Sequence, residues 1–277
     1  MVFRRAPTPL VVAAACTAAA ALVWLTAYNL APFAAIDART LDGFVGLLGP
    51  RTAMPAERIS QLVDPGPFAL FSAALVLLAL ARRRPRTAIG IAAILAGSNV
   101  TTQLLKPALA LTPVVPGTDT ASWPSGHATA AMGLALCLQL AVPQRWRPTA
   151  AAVGGLFALG VASSVLILDH HEPSDVVGGF LVAGAWTALG VAALRAAAAR
   201  RPVAAEDSPA PRAAAALVPV GAAVAALIAT ASVVVIANWT AALDYAADHT
   251  TFIAGAGVIA LGAMGMSAAA SLALPRT

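Results

Sequence analysis

Charged residues are scarce in this chain of 277 residues: they make up 10% of it, whereas 60% is hydrophobic and the mean hydropathy is +0.82. A soluble domain carries about 25% charged residues and is about 45–50% apolar. The composition therefore excludes a soluble globular enzyme. It also excludes a disordered chain, because disorder requires low hydrophobicity and high charge.

Cysteine and lysine are also rare. The two cysteines, Cys16 and Cys137, lie in separate apolar runs, so the sequence contains neither a disulfide framework nor a zinc–thiolate motif. Lys106 is the single lysine, and arginine supplies the other sixteen basic residues. The basic residues behind the net charge of +5 are spread over several separate loops and do not form one basic surface. We therefore expect no nucleic-acid partner.

Uncharged apolar stretches indicate where the chain crosses a membrane. An α-helix needs about 17–25 residues to cross a hydrocarbon core roughly 30 Å thick. Eight stretches qualify, of which the second and fourth are short but flanked by Arg or polar residues that reach the interface. The predicted spans are residues 9–31, 66–81, 87–105, 125–142, 148–168, 176–194, 213–237 and 251–274.

The basic residues predict the orientation, because cytoplasmic loops retain Lys and Arg. With both termini inside, the inner segments hold thirteen of the seventeen basic residues and the outer segments ten of the twelve acids. We therefore expect an N-in, C-in topology in the cell membrane. Residues 1–31 also resemble a signal peptide, but the apolar part exceeds a typical h-region of about 7–15 residues. An uncleaved first span is the favoured interpretation.

The predicted fold is an all-α polytopic membrane helical bundle. The Ala-, Arg- and Pro-rich residues 197–212 interrupt the pattern of spans and predict a cytoplasmic linker. This linker divides the chain into a six-span unit, residues 1–196, and a C-terminal two-helix hairpin, residues 213–277.

Three polar clusters are predicted at the outer face. Lys106 ends the third span, where it is either an interfacial anchor or a functional cation on the side that basic residues avoid. Trp123-Pro124-Ser125-Gly126-His127 precedes the fourth span. There a capping serine and a glycine leave free amides at a helix N-terminus, which favours anion binding. A simple helix start with an interfacial histidine is the alternative.

The third cluster is Asp169-His170-His171-Glu172-Pro173-Ser174-Asp175, between the fifth and sixth spans. Five ionisable groups in seven residues are unusual in a chain with so little charge. A divalent-metal site is a weaker interpretation, since no second group of ligands is evident. His171 and Asp175 are four residues apart, a spacing that places both side chains on one helix face. Pro173 suits the first turn of that helix.

Lys106, Pro124-Ser125-Gly126-His127 and the run from His171 to Gly179 together resemble the type 2 phosphatidic acid phosphatase (PAP2) family. These are membrane lipid-phosphate phosphatases whose active-site architecture is shared with vanadium haloperoxidases. The resemblance covers roughly residues 85–195. It implies a six-helix core, to which the C-terminal hairpin is an addition, and an enzyme that needs no metal or other cofactor.

The resemblance also implies a role for each matching residue. His171 would be the nucleophile that forms a phosphohistidine, and Asp175 would orient it. His127 would protonate the leaving alkoxide and then activate water. Phosphoryl oxygens would be held by Lys106, Ser125 and Gly126. His170 has no family role and is a candidate for contact with the substrate or with the catalytic residues.

Two arginines of the family pattern are absent. No arginine lies between Lys106 and His127, where the sequence reads Leu111-Thr112-Pro113-Val114, and Ser164-Val165 occupies the place of a Ser-Arg pair. Bidentate Arg–phosphate contacts are strong, and Glu172 adds negative charge beside the nucleophile. Either an arginine of another loop (Arg39, Arg51 or Arg58) compensates, or the substrate differs, or activity is weak or lost.

The sequence thus predicts a phosphatase that acts at the extracytoplasmic face on a phosphatidic acid-like or polyprenyl (pyro)phosphate lipid of the bilayer. The alternative is a PAP2-like protein of weakened or lost activity that serves as a lipid-binding or partner-binding scaffold. A transporter is a third, weaker possibility, because no span carries a charge at mid-depth.

Overall fold

The computed structural model of the chain describes residues 8–109, 122–200, 222, 225, 226 and 239–273. These residues contain α-helices and two 3₁₀ turns, Gln61–Val63 and Gln144–Trp146, and no strand. The prediction of an all-α helical bundle is confirmed. The helices are α1 (Pro9–Asn29), α2 (Ala31–Val45), α3 (Ala53–Ser60), α4 (Pro65–Ala81), α5 (Pro85–Leu109), α6 (Gly126–Ala141), α7 (Arg147–Ile167), α8 (Pro173–Arg200), α9 (Trp239–Asp248) and α10 (Thr250–Ala273).

Seven of the eight predicted spans coincide with a helix. Five helices, α1, α5, α7, α8 and α10, are long and apolar enough to cross a membrane. A sixth candidate is the pair Ala53–Val63 and Pro65–Ala81, which is bent by 53° at its junction, and α6 is apolar but shorter, at 16 residues. The seventh predicted span, 213–237, and most of the predicted linker lie outside the described residues.

Helix α6 lies at the centre of the bundle. Thirteen of its sixteen residues are buried, and it packs against α5, α7 and α8. Small residues allow this packing, as membrane helices approach closely where they carry Gly and Ala. A Cβ atom on Gly154 of α7 would lie 2.9 Å from Ala135 Cα, so only glycine permits this distance between α6 and α7.

The C-terminal helix α10 packs on the six-span unit. It contacts α7, α2, α8 and α6. The Phe252 ring meets Phe44 of α2 edge-on, with ring centroids 4.9 Å apart. Tyr245 of α9 donates a hydrogen bond to the Gly43 carbonyl. The C-terminal region therefore contributes to the same bundle as the helices that precede it.

Three short helices, α2, α3 and α9, were not expected from the sequence. Each contains charged residues, so none was detected in the search for uncharged apolar stretches. Helix α2 begins directly after α1, because Leu30 adopts an extended conformation that ends the first helix. It buries Thr40, Gly43 and Phe44 on one side. Helix α2 also brings Asp37 to the start of α8, as described below.

Candidate active site

His171 and Asp175 meet at the start of α8. Pro173 is the first residue of this helix, a position where its missing N–H costs nothing. The His171 Nδ1 atom lies 3.1 Å from Asp175 Oδ2. The Asp175 side chain is 0% exposed and that of His171 is 9% exposed. A carboxylate only accepts, so Nδ1 donates, and neutral His171 keeps the lone pair on Nε2.

The Asp175 carboxylate also accepts hydrogen bonds from three further groups. Tyr28 at the end of α1 donates its hydroxyl to Oδ1. The Ser122 hydroxyl, at 2.6 Å, and the Glu172 amide, at 3.2 Å, donate to Oδ2. These contacts hold the carboxylate in one orientation and so fix the ring of His171. Sequence reasoning missed Tyr28 and Ser122, which carry no spacing signal that links them to Asp175.

The N-terminus of α6 lies beside this pair. Ser125 is the N-cap residue, and its buried Oγ accepts a hydrogen bond from the Ala128 amide at 3.3 Å. The Ser125 amide donates to the Asp175 carbonyl at 3.0 Å, which joins the starts of α6 and α8. Among the described residues, the amides of Gly126 and His127 have no hydrogen-bond acceptor. Two unpaired amides at a helix N-terminus favour an anion.

Gly178 and Gly179 allow α8 to approach the start of α6. A Cβ atom on Gly178 would lie 2.6 Å from Trp123 Nε1, and one on Gly179 would lie 2.7 Å from the Ser125 carbonyl oxygen. Neither distance is compatible with a side chain unless one of the two segments moves. The Gly-Gly pair therefore determines how close Asp175 comes to Ser125.

His127 forms a second histidine–carboxylate pair. Its Nε2 atom lies 3.3 Å from Oδ1 of Asp64, the residue between the 3₁₀ turn and α4. The rings of His127 and His171 lie with their centroids 6.3 Å apart and their planes inclined by 61°. Sequence reasoning identified both histidines but missed Asp64. Two polarised imidazoles at this separation can act on opposite sides of a reacting group placed between them.

Lys106 and His170 are less closely tied to the pair of histidines. Lys106 lies partly buried in the last turn of α5, and no hydrogen bond or ion pair joins it to a described residue. His170 is exposed, and its amide donates to the Val165 carbonyl at 2.9 Å. Asp169 before it has a φ of 59°. This left-handed conformation is typical of the residue that follows a helix C-terminus, so Asp169 and His170 terminate the chain's helical path just after α7.

Carboxylates surround His171. Burial is the main cause that raises the pKa of Glu172 to about 7, and Asp37, Asp175, Asp169 and Asp42 raise it further. Burial likewise raises the pKa of Asp37 to about 6, although hydrogen bonds from Ser174 lower it. The Ser174 amide lies 3.0 Å from Asp37 Oδ1. Near neutral pH, Glu172 is therefore only partly ionised.

No arginine contacts these groups in the part of the chain that the structure describes. Val165, at one position where the family pattern has arginine, is 0% exposed in the core. The region 111–114 lies outside the described residues. Arg39, Arg51 and Arg58 are exposed, and none forms a hydrogen bond or ion pair with a described residue. The described residues also hold no group of three or more His, Cys, Asp or Glu side chains suited to a metal ion.

Comparison with known proteins gives one match. Residues 82–199 match the family model described as PAP2 superfamily. This segment includes all of α5, α6 and α7 and nearly all of α8, and with them every site residue that was predicted from the sequence. Tyr28, Asp37 and Asp64 lie outside it. No curated protein and no solved structure matches the chain.

Proposed function

Residues 82–199 match the PAP2 superfamily model, and on that premise we propose that the chain is an integral membrane phosphatase that removes phosphate from a lipid phosphomonoester or pyrophosphate. A PAP2 domain indicates phosphatase activity on phosphate esters. The observation that carries the finer proposal is the buried His171–Asp175 pair with His127 opposite it, 6.3 Å between ring centroids. The reaction proceeds at the extracytoplasmic face, without a metal, through a phosphohistidine.

In the first step, Nε2 of His171 attacks phosphorus. A P–N bond forms while the P–O bond to the lipid breaks, and protonated His127 gives its proton to the leaving oxygen. Asp175 accepts the Nδ1 hydrogen bond and stabilises the positive charge that develops on the ring, which is the task of the third member of a catalytic triad.

In the second step, water attacks the phosphoryl group. His127, now neutral, accepts a proton from this water. The P–N bond breaks, the electron pair returns to Nε2, and phosphate leaves with His171 neutral again. The same two histidines therefore serve both half-reactions with no net change in protonation.

The phosphoryl oxygens need donors in both steps. The unpaired amides of Gly126 and His127 and the dipole of α6 supply partial positive charge. The Ser125 oxygen accepts the capping hydrogen bond from the Ala128 amide, so the hydroxyl hydrogen is still available to donate to a phosphoryl oxygen. Lys106, with no acid partner among the described residues, supplies the cation. His170, exposed at the rim, is a candidate for contact with the substrate.

An apolar cavity supports a lipid as the substrate. A half-open cavity of about 410 Å³ lies between α1, α5 and α8. Two of its lining residues, Leu105 and Trp123, are the sequence neighbours of Lys106 and of the Pro124-Ser125 segment. Its other lining residues are Thr17, Ala20, Ala21, Trp24, Thr101, Leu109, Leu181, Val182, Ala185, Trp186 and Leu189. Such an apolar lining suits a hydrocarbon chain.

The test is phosphate release by the purified protein in detergent and EDTA, on a panel of lipid monophosphates and pyrophosphates. We expect turnover by the wild type and its loss in His171→Ala. His249→Ala is the matched control, because His249 stacks on Tyr245 away from the site. Equal rates for wild type and His171→Ala would remove the enzyme proposal.

A scaffold without turnover is the second candidate function, and the absence of arginine contacts at the described site favours it. An inactive site would have no need to retain affinity for phosphate. If millimolar vanadate protects His171 from chemical modification, the scaffold proposal is weakened. If vanadate gives no protection and no lipid phosphate is hydrolysed, the scaffold proposal is supported.

A further inference from the structure

Asp64 stands at a bend in the chain, outside the segment that matches the family. The chain turns by 53° between Ala53–Val63 and Pro65–Ala81. Asp64 is the residue at the corner, with an extended backbone (φ −57°, ψ 158°). A residue before proline is driven to this conformation, because the proline ring disfavours the helical one. The bend therefore fixes the position from which the carboxylate projects.

The Asp64 carboxylate does not perform the usual task of an aspartate at this position. Asp64 is the N-cap of α4, where a carboxylate ordinarily accepts a hydrogen bond from the first turn. Its side chain forms no such capping bond. It faces His127 instead, with Oδ1 lying 3.3 Å from Nε2. The helix forgoes a stabilising cap, and the contact with His127 takes its place.

The contact determines which nitrogen of His127 is free. A carboxylate oxygen accepts, so Nε2 carries the hydrogen in this pair. The remaining nitrogen, Nδ1, is then the atom that gives a proton to the leaving oxygen in the first step and takes one from water in the second. The side chains are partly open, 31% exposed for His127 and 46% for Asp64, so a substrate can reach the ring.

We infer that Asp64 is a positioning residue for His127, which holds the ring by Nε2 and stabilises the imidazolium that acts as the general acid. This inference rests on the proposed function. It assigns the site two histidine–carboxylate pairs with different tasks: Asp175 serves the nucleophile, and Asp64 serves the acid.

The charges around His127 give the direction of the effect. Asp64 is the carboxylate that bonds to the ring, and it favours the imidazolium. Burial of the ring is the main effect that disfavours the imidazolium of His127, and His171 and His170, from the connection between α7 and α8, disfavour it further. Removing the charge of Asp64 leaves His127 with only these unfavourable neighbours, so the ring loses its proton at a lower pH.

The first experiment needs no turnover. The full-length chain is labelled with ¹⁵N-histidine in detergent, and its four histidines are titrated by NMR, with His127→Gln used to assign the signal. We expect the titration midpoint of His127 to fall in Asp64→Asn and to stay in place in Glu57→Gln, a control that removes an exposed carboxylate seven residues earlier in the chain. An unchanged midpoint in Asp64→Asn would overturn the inference.

The second experiment separates positioning from a structural role. For a lipid alkyl phosphate, whose leaving group needs a proton, we expect kcat of Asp64→Asn to fall roughly ten- to a hundredfold. The basic limb of its pH–rate profile should also move to lower pH. For an aryl phosphate with a good leaving group, the initial burst of phenolate should keep its wild-type rate. An equal loss for both substrates would show damage to the fold and would overturn the inference.

The two experiments also distinguish this inference from the proposed function. If the wild type hydrolyses nothing, the proposed function fails, whereas the NMR titration still shows whether Asp64 controls His127. If the wild type is active and the midpoint does not move, the function stands and the role of Asp64 fails.

Discussion

Glu172 follows the nucleophile directly and sets the local charge of the site. Its carboxyl group is partly buried, and its Oε2 atom has no hydrogen-bond partner among the described residues. Burial and four neighbouring carboxylates raise its pKa to about 7. Asp37, whose pKa is raised to about 6, loses its proton first as the pH increases. Both groups therefore become negative in the range where a phosphate monoester becomes a dianion, near pH 6.

The KM for a lipid phosphate should therefore rise between pH 5.5 and pH 8. Below pH 6 both carboxyl groups are mostly neutral, and above pH 7 both are charged and repel the substrate. Glu172→Gln removes one of these charges, so its KM should rise less over the same range and should differ most from wild type at pH 8. The measurement is KM at pH 5.5, 7 and 8 for both proteins.

Glu57→Gln serves as the control for this prediction, since Glu57 is exposed on α3 and pairs with Gln61 away from the histidines. A KM of Glu172→Gln that follows the wild-type curve at every pH would show that Glu172 does not face the bound phosphate.

At this scale, sequence reasoning succeeded where partners are close along the chain. His171 and Asp175 are four residues apart, and this spacing predicted that their side chains lie together at the start of the helix, although His171 precedes its first residue, Pro173. Tyr28 and Asp64 lie 147 and 63 residues from the groups they bond. Only the packing of α1 and of the bend before α4 brings them to the site. One sequence, read without the fold, offers no signal for such contacts.

The approach of α8 to the start of α6 is the structural basis of the site at the level of elements. Ser125 and Asp175 bond through their backbones because the Gly178-Gly179 pair carries no Cβ atoms. The two helices thereby bring a helix N-terminus, with its free amides, next to the nucleophile.

Gly179→Ala should separate these elements. The added Cβ would lie 2.7 Å from the Ser125 carbonyl oxygen, so one segment must shift. We expect a loss of about 1–3 kcal/mol in stability and a fall of roughly ten- to a hundredfold in kcat from the misplaced catalytic groups. Thermal unfolding in detergent and phosphate release are the measurements.

Gly257→Ala is the matched control, because a Cβ at this position on α10 meets nothing within 4 Å. It should retain wild-type stability and activity. If Gly179→Ala behaves like Gly257→Ala, the close approach of α8 is not needed for the site.

Long and short helices differ in how well the sequence predicts them. Seven of the eight predicted spans coincide with a helix, because about 20 apolar residues without charge have few alternatives in a membrane protein. Helix α2 contains Asp37, Arg39 and Asp42, and α3 and α9 are only 8 and 10 residues long. These helices are stabilised by packing against particular neighbours in the bundle, which the sequence pattern alone does not identify.

The asymmetry of charge is the property of the whole molecule that bears on function. Basic residues collect at one end of the predicted spans and acids at the other, where the histidines lie. The positive-inside rule then places the site outside the cell membrane. This orientation remains a prediction from the sequence.

Labelling of single cysteines in intact cells tests the orientation. In a background with Cys16 and Cys137 replaced by alanine, a membrane-impermeant maleimide should label Glu57→Cys. It should label Arg86→Cys only after the cells are permeabilised. Both positions are exposed. The reverse pattern would place the site in the cytoplasm and would exclude a substrate from the outer leaflet.

The central claim is that His171 accepts a phosphoryl group, and trapping this intermediate tests it most directly. An aryl phosphate labelled with ³²P should phosphorylate His171 even in His127→Ala, because a good leaving group needs no acid. The second step, which needs His127 as base, is then slow. After an alkaline quench, mass spectrometry should find an acid-labile phosphate on His171 in His127→Ala and none in the His171→Ala, His127→Ala double variant. Turnover of the wild type without any label on His171, or equal labelling of both variants, would contradict the account.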